Sequence, residues 1–500
     1  MNLILTLDIG TSEIKVALFS EKLKLLCIEN VKNKVNYSND GRSELDMNIL
    51  WEQCVFLIKK ILNYKLKIKK NIIGIGITAN MVGLWPINDK GIPVRKAILW
   101  NDLRTIKILN KMKSKDKKIY EKIFNESGSV LQYGCTMPLI KWFYDNEKIK
   151  FKKTRWFLNC KDWIRFKLTG NIANDYTETV VAPGSARKIG RSKKIFKLFR
   201  INNTAIKKLP ILKKSDSIAG YINTKMEKLT KLKAGTPVII GAGDVPSSVM
   251  GLGANQSGTA ATIFGTTIHN CYISKMPNFY PKNIGLLFYS PNSTWLKTMI
   301  NVAGTINLDW GIKNFFNFDK YLLDKKKYIL KLEKKISKIP IGSNNLIYLP
   351  YINFGGVIAP FHNETASGVI YGLNHKHNKY DILRSIYEGV VLSIIDCYNS
   401  LNKRMNKLYL AGGGSNSNLW SQMISDALNV RVIIPDGEEF GAKGAALLTL
   451  KAIKKFDINS KKYNKIKIRK EFLPNKNNHN KFKKIYLNYK SLSRKLYLDV

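Results

Sequence analysis

Five hundred residues with 45% hydrophobic and 11% aromatic content carry enough apolar surface for two or more cores, which excludes a fibrous, collagen-like or wholly disordered chain. The 83 Lys+Arg against 36 Asp+Glu give a formal charge of +47, an excess that raises nucleic acid or an anionic membrane as partners. The charge is spread along the chain, with 16 basic and 3 acidic side chains in the last fifty residues. It consists mostly of lysines beside Ile and Asn, as in Lys65-Leu-Lys-Ile-Lys-Lys70, so it reads as a solvated surface with no specific nucleic-acid partner.

In chain order, Asn2–Asp8 reads as a buried strand, Gly10-Thr11-Ser12 as a tight connection and Ile14–Phe19 as a second strand, together a β-hairpin. Asp8, Glu13 and Lys15 interrupt this apolar opening as no signal-peptide core would be interrupted, and no apolar run reaches membrane-spanning length, so a cytoplasmic protein without a membrane partner is expected. A helix is expected over Leu50–Leu62, then strands at Ile72–Thr78 and Ala97–Trp100. The aromatics Trp142, Phe143, Tyr144, Trp156 and Trp163 fall in apolar helical patterns. The six cysteines form no CxxC pair, which suggests neither a disulfide framework nor a zinc site. His375 and His377 sit in a polar loop and read as solvated. Strands at Pro237–Gly241, Thr259–Phe264 and Lys407–Ala411, with helices at Asp381–Leu401 and Asn418–Leu428, complete an α/β pattern.

Leu5-Thr-Leu-Asp-Ile-Gly-Thr-Ser12 and Ala261-Thr-Ile-Phe-Gly-Thr-Thr267 are both β-rich runs that end in Gly-Thr-Ser/Thr. Their separation by about half the chain suggests two related domains with a ligand in the cleft between them. The Lys-rich stretch ends near Ala234-Gly-Thr-Pro237, which gives domains of 1–240 and 241–450 and a basic tail of 451–500 with helical potential.

Asp8-Ile-Gly-Thr-Ser12 places a carboxylate at a strand end, followed by a turn whose N–H groups can point at one anion. That suits a phosphate with its Mg²⁺, while an ordinary hairpin turn with a satisfied Asp stays open. Gly265-Thr266-Thr267 offers a second such turn. Gly241-Ala-Gly-Asp244 sets a carboxylate between an apolar strand and a helix, either as a base for a hydroxyl proton in phosphoryl transfer or as a helix cap. Leu410-Ala-Gly412-Gly413-Gly414-Ser415-Asn416-Ser417 is a strand running into three glycines and then a helix, where backbone could approach a base or ribose. The chain has neither an opening GxGxxG nor a GxxxxGK[ST].

Taken together these motifs resemble the FGGY carbohydrate kinases. Gly76-Ile-Thr-Ala-Asn-Met-Val-Gly83, Ala97-Ile-Leu-Trp-Asn-Asp-Leu-Arg104, Val302-Ala-Gly304, Leu349-Pro-Tyr351, Arg384–Gly389, Gln422–Asp426 and Glu438–Ala446 extend the likeness over almost the whole chain. The resemblance implies two ribonuclease-H-like, actin-like ATPase domains with an interdomain active site. It implies ATP and Mg²⁺ as cofactors and a sugar or polyol as partner, with a homodimer as an assembly to expect. Asp244 matches the base, and Asp8 with Asp244 the carboxylates near the metal. Thr11 and Ser12 match the first phosphate loop, Gly265 and Thr266 the second. Gly304, Gly412, Gly413, Gly414 and Ser417 match nucleotide contacts. Asn80, Met81, Val82, Asp102 and Arg104, with Asp244, fall on the sugar side, where Asp175-Tyr-Thr177 either lines the sugar or is an ordinary loop.

Trp100–Arg104 resembles the xylulokinase branch, and the glycerol kinase Arg-Glu pair near Asn80–Gly83 is missing. Xylulokinases usually carry Gln-Met-His-Gly where this chain has Asn80-Met81-Val82-Gly83, and Phe354-Gly-Gly-Val357 departs from the usual Gly-Glu-Arg. Losing an imidazole contact alters hydroxyl selectivity. D-xylulose is therefore the default acceptor, with L-xylulose, ribulose, erythritol and glycerol as alternatives, and a degenerate sugar- or nucleotide-binding homologue as the non-enzymatic one.

Overall fold

Leu3–Ile9 has almost no polar residue to give to water, and the structure, a computed structural model that describes residues 2–63, 71–353, 355–454 and 466–498, buries the strand on both faces. Leu3, Leu5, Leu7 and Ile9 join a core with Leu57 and Ile58 of the Met47–Asn63 helix and Trp163 and Ile164 of the Cys160–Thr169 helix. Ile4, with Ala17 and Phe19, meets Ala442, Ala446 and Leu450 of the Phe440–Lys454 helix on the other face. The two-residue period of a strand makes this split, and each large side chain so buried contributes about 1.5–3 kcal/mol.

The sheet has seven strands: Ile218–Tyr221, Pro237–Ile239, Ile72–Ala79, Leu3–Ile9, Glu13–Ser20 and Leu25–Lys32 in that order, with Ala242–Gly243 also paired to Ile72–Ala79. The first two strands in sequence form the expected hairpin, with Asp8 opposite Lys15 and Ile9 opposite Ile14. Ile72–Ala79 runs parallel to Leu3–Ile9, with Asp8 beside Thr78, and Ala242–Gly243 runs parallel to Ile72–Ala79, with Ala242 beside Thr78. Three parallel strands therefore end level with one another, at Ile9, Ala79 and Gly243.

Chain contacts define two units, each assembled from separate stretches. The first is Met1–Asn255, Lys275–Leu296 and Glu439–Lys465; the second is Gln256–Ser274, Lys297–Glu438 and Ile466–Val500. Asp244 and its helix, Asp244–Leu252, lie in the first unit because that helix packs closely on Phe440–Lys454. A Cβ on Gly251 would stand 1.9 Å from the Phe440 carbonyl oxygen, and one on Gly444 1.9 Å from that of Ser247, so only glycine permits the approach.

Within the second unit, Lys297–Asn301, Ile268–Ser274, Thr259–Phe264, Lys407–Ala411, Arg431–Pro435 and Ile468–Phe472 lie side by side in that order. Thr259–Phe264 forms a hairpin with Ile268–Ser274 and runs parallel to Lys407–Ala411, with Ile263 beside Ala411. The pattern repeats the first sheet, as the paired Gly-Thr loops predict: an opening hairpin, then parallel strands on its other side.

Several expectations need correction. Ala97–Ile98 is only two residues of strand, in a small sheet with Val35–Tyr37 and Ser43–Leu45, because Leu84 and Ser43 take the nearby backbone bonds. Trp156 lies on a short strand rather than a helix, beneath the Arg155 guanidinium at 3.8 Å, and Trp142 faces the guanidinium carbons of Arg104 at 4.7 Å and Arg95 at 5.6 Å. Phe354, within one of the noted departures, and residues 455–465 of the tail lie outside the described residues. Residues 451–454 of the tail end the Phe440–Lys454 helix of the first unit, whereas residues 466–498 pack in the second: Ile468–Phe472 pairs with Arg431–Pro435, and the Lys476–Tyr497 helix donates from Tyr486 to Asp396 at 2.7 Å and pairs the Tyr489 and Tyr351 hydroxyls at 2.9 Å. Among the described residues no helix is long and apolar enough to cross a membrane.

Candidate active site

The level ends of the three parallel strands bring together Asp8, Asn80, Met81 and Asp244, four residues singled out from sequence. Both carboxylates are half-buried. Asp8 is pushed up to about 7 by burial and by the charge of Asp244, against the pull of Lys15. Asp244 is pushed up to about 6 by burial, against the Val245 N–H that it accepts at 2.8 Å. Asp244 is the first residue of its helix, with Gly243 at the cap position, so the carboxylate does not serve as a side-chain cap. A shifted carboxylate pair of this kind marks a functional site more often than a structural one.

Sequence reading missed three residues here. Lys15 stands opposite Asp8 in the hairpin and binds both oxygens of Glu439 at 3.0–3.1 Å. Gly441 follows, and a Cβ there would lie 2.4 Å from Asp8 Oδ2. The hairpin register alone could have revealed Lys15. Gly441→Ala is expected to push the Asp8 carboxylate aside and lower kcat by about 10²-fold, since displacements near 1 Å in an active site cost that much. Steady-state kinetics beside a melting curve will check it, with little change expected in the melting temperature.

The loop after Ile72–Ala79 is tightly held. Asn80 donates from its backbone and its side chain to the Ile9 carbonyl at 2.8 and 3.1 Å, and the Met81 thioether lies against Gly243. Val82 adopts φ +55°, a left-handed conformation that costs a β-branched residue about 1–3 kcal/mol. Its N–H donates to Glu178 Oε2 at 2.7 Å, and its carbonyl accepts from Asn159 at 3.2 Å. Thr11 accepts from the Trp100 indole N–H at 2.9 Å, and Ser12 is exposed in the turn.

Asp102 and Arg104 are not at the strand ends but on each other. Arg104 donates to Asp102 Oδ1 at 2.7 Å and Oδ2 at 2.8 Å, and to Glu44 at 2.6 Å; Asp102 also accepts from the Ser43 N–H at 2.7 Å. With both oxygens bonded and none of Asp102 exposed, the pair braces the Trp100–Arg104 segment.

In the second unit, Gly265 and Gly412 follow the parallel strand ends Phe264 and Ala411. The Gly304 N–H donates to Thr266 at 2.6 Å and the Thr305 N–H to Gly265 at 3.0 Å, joining two predicted loops. Gly412 has φ +88° and would set a Cβ 2.6 Å from the Phe264 carbonyl oxygen, whereas Gly413 faces open space and Gly414 lies against the Phe264 ring. Ser417 caps the Asn418–Leu428 helix, accepting from Trp420 N at 3.0 Å and donating to Glu333 at 2.5 Å.

Comparison with known proteins gives the family. The FGGY family of carbohydrate kinases, N-terminal domain, matches residues 3–251, and the C-terminal domain matches residues 257–453. A xylulose kinase of Staphylococcus epidermidis is 27% identical over 98% of this chain and 96% of its own length. A probable L-xylulose kinase of Haemophilus influenzae is 26% identical over 98% of each. Among solved structures, the gluconate kinase of Lactobacillus acidophilus superposes with a TM-score of 0.89 at 21% identity, over 99% of this chain and 98% of that one, a likeness of fold. The two domain matches together cover most of the chain, and the protein belongs to the FGGY family of carbohydrate kinases as an ATP-dependent sugar kinase.

Proposed function

We propose that this kinase phosphorylates a hydroxyl of a ketopentose, D-xylulose first and L-xylulose as the nearest alternative, with Asp244 as the general base. The observation that carries the reading is the convergence of Asp8, the Asn80–Val82 loop and Asp244 at three level strand ends, where ligands of open α/β sheets bind. The names of the Staphylococcus epidermidis and Haemophilus influenzae relatives support the acceptor class.

On this reading Asn80, Met81 and Val82 face the sugar, and Asp102 and Arg104 position the neighbouring segment. Thr11, Ser12, Gly265 and Thr266 hold phosphates, while Gly304, Gly412, Gly413, Gly414 and Ser417 shape the nucleotide site. Asp244 takes the hydroxyl proton as the oxygen attacks the γ-phosphate, a step in which positioning and charge do most of the work. Asp8 and Asp244 fit Mg²⁺: they are hard oxygen donors whose pKa values are raised, and a cation relieves their repulsion. Among the described residues no group of three or more His, Cys, Asp or Glu side chains could hold a metal ion. When bound, Mg²⁺ neutralises phosphate charge. We place the activity in the cytoplasm, where ATP is supplied.

Coupled ADP release with MgATP tests the acceptor against D-xylulose, L-xylulose, D-ribulose, L-ribulose, glycerol and erythritol. A kcat/KM for either xylulose at least tenfold above the rest is expected. Preference for glycerol or erythritol would sink the ketopentose reading.

A further inference from the structure

The short helix Tyr176–Val181 lies outside the residues assigned above, yet it touches both halves of the sugar side. Its N-cap Asp175 is fully buried and accepts from the Thr177 N–H at 3.0 Å and the Thr177 hydroxyl at 2.6 Å. The same Thr177 oxygen accepts from the Gly243 N–H at 3.0 Å, immediately before Asp244. One residue on, Glu178 turns the other way and accepts from the Val82 N–H. Helical side chains at adjacent positions point about 100° apart, so a single turn of helix can brace two separate strand ends.

Glu178 is an unusual acceptor. It is 1% exposed, and its second oxygen, Oε1, finds no hydrogen-bond partner among the described residues; Asn80 Oδ1, in the same loop, is likewise unpartnered. Burial and the charges of Asp175 and Asp162 push its carboxyl well above the ordinary range despite Lys161. What it supplies is conformation: Val82 holds a left-handed backbone that a β-branched residue avoids, and the bond from its N–H to Glu178 is among those that fix it.

We propose that Glu178 is a specificity-positioning residue, holding Val82 in its left-handed turn and so fixing the wall against which the acceptor's hydroxyls are sorted, while its neighbour Thr177 positions the approach to Asp244. The inference rests on the sugar-side reading of Asn80–Val82 given above. It extends that reading to residues held behind the Asn80–Val82 loop and the Gly243 amide. The two neighbours divide the work: Glu178 acts on acceptor binding and Thr177 on the chemical step.

The test compares Glu178→Gln, Glu178→Met and Thr177→Val with wild type in coupled ADP release, using the best acceptor of the panel and its poorest active member. Gln keeps an acceptor for the Val82 N–H at nearly the same size, so it is expected to stay within threefold of wild type. Met is expected to raise the acceptor KM at least tenfold, to narrow the ratio of kcat/KM between the two acceptors at least threefold, and to leave the ATP KM and kcat nearly unchanged. Thr177→Val is expected to lower kcat at least tenfold with a smaller change in acceptor KM. Amide hydrogen exchange over residues 80–84 gives a reading independent of turnover: faster exchange in Met but not in Gln supports the proposal, and unchanged exchange in Met overturns it. A uniform fall in kcat for the Met variant, with acceptor KM and ratio intact, overturns it as well by leaving only a structural role. An Asp244→Asn variant that keeps its activity would remove the base assignment yet leave the Glu178 outcome to be decided by these same measurements.

Discussion

Asp244→Asn is expected to lower kcat for sugar-dependent ADP release by about 10²–10⁴, the contribution of a positioned base, and also to make the protein harder to melt at pH 8. The two effects share one cause. Asp8 and Asp244 sit near 7 and 6 in the folded protein against 3.8 for a free aspartate, so the native state keeps protons that the unfolded chain has released. Stability from this pair is therefore full below about 4 and is lost as pH rises through 6 to 7. Amidation of Asp244 removes one of the two repelling charges and returns part of that stability. Wild-type kcat/KM should fall as pH drops below about 6, where protonation of Asp244 removes the base. Activity assays and melting curves for both proteins at pH 5 and 8 decide it: wild-type turnover in the variant would exclude the base role, and a lower melting temperature at pH 8 would exclude the repulsion.

Lys161→Met should destabilise the first unit by about 3–5 kcal/mol, the cost of leaving a buried charge without its counter-ion. The Lys161 ammonium, fully buried, donates to Asp162 at 2.9 Å and Asp175 at 2.8 Å; Arg165 reaches Asp162 at 2.6 Å, and Ser215 reaches Asp175 at 2.8 Å. Burial would raise the Asp162 carboxyl, but Lys161 and Arg165 hold it below the ordinary range. In the variant Asp162 keeps Arg165, whereas Asp175 keeps only hydroxyl and amide partners. Because Asp175 carries Thr177, kcat should fall alongside stability. Urea titration of wild type and variant gives the free-energy change from the shift in midpoint, and a loss under 1 kcal/mol would mean that water reaches the cluster.

The opening hairpin was legible because its apolar run and Gly10-Thr11-Ser12 turn are local features, and the register Asp8 to Lys15 follows from the turn. The second loop at Gly265-Thr266 was legible for the same reason, as was the Gly412–Gly414 segment, where chain direction and side-chain size are limited residue by residue. Asp102 and Arg104 show the limit of such reading: a motif names the residues, but their bonds to each other and to Glu44 and Ser43 depend on segments sixty residues apart.

By itself the sequence determined the α/β pattern, the paired Gly-Thr turns and the identity of the strand-end carboxylates, all of which follow from nearest-neighbour chemistry. Only the tertiary structure decided that Asp244 is held with the first unit, because that depends on glycines 251 and 444 allowing two distant helices into contact. It alone placed Gly441 against Asp8 and turned Glu178 toward the Val82 amide. Those are contacts across long sequence separations, where burial and close packing rather than local preference select the partner.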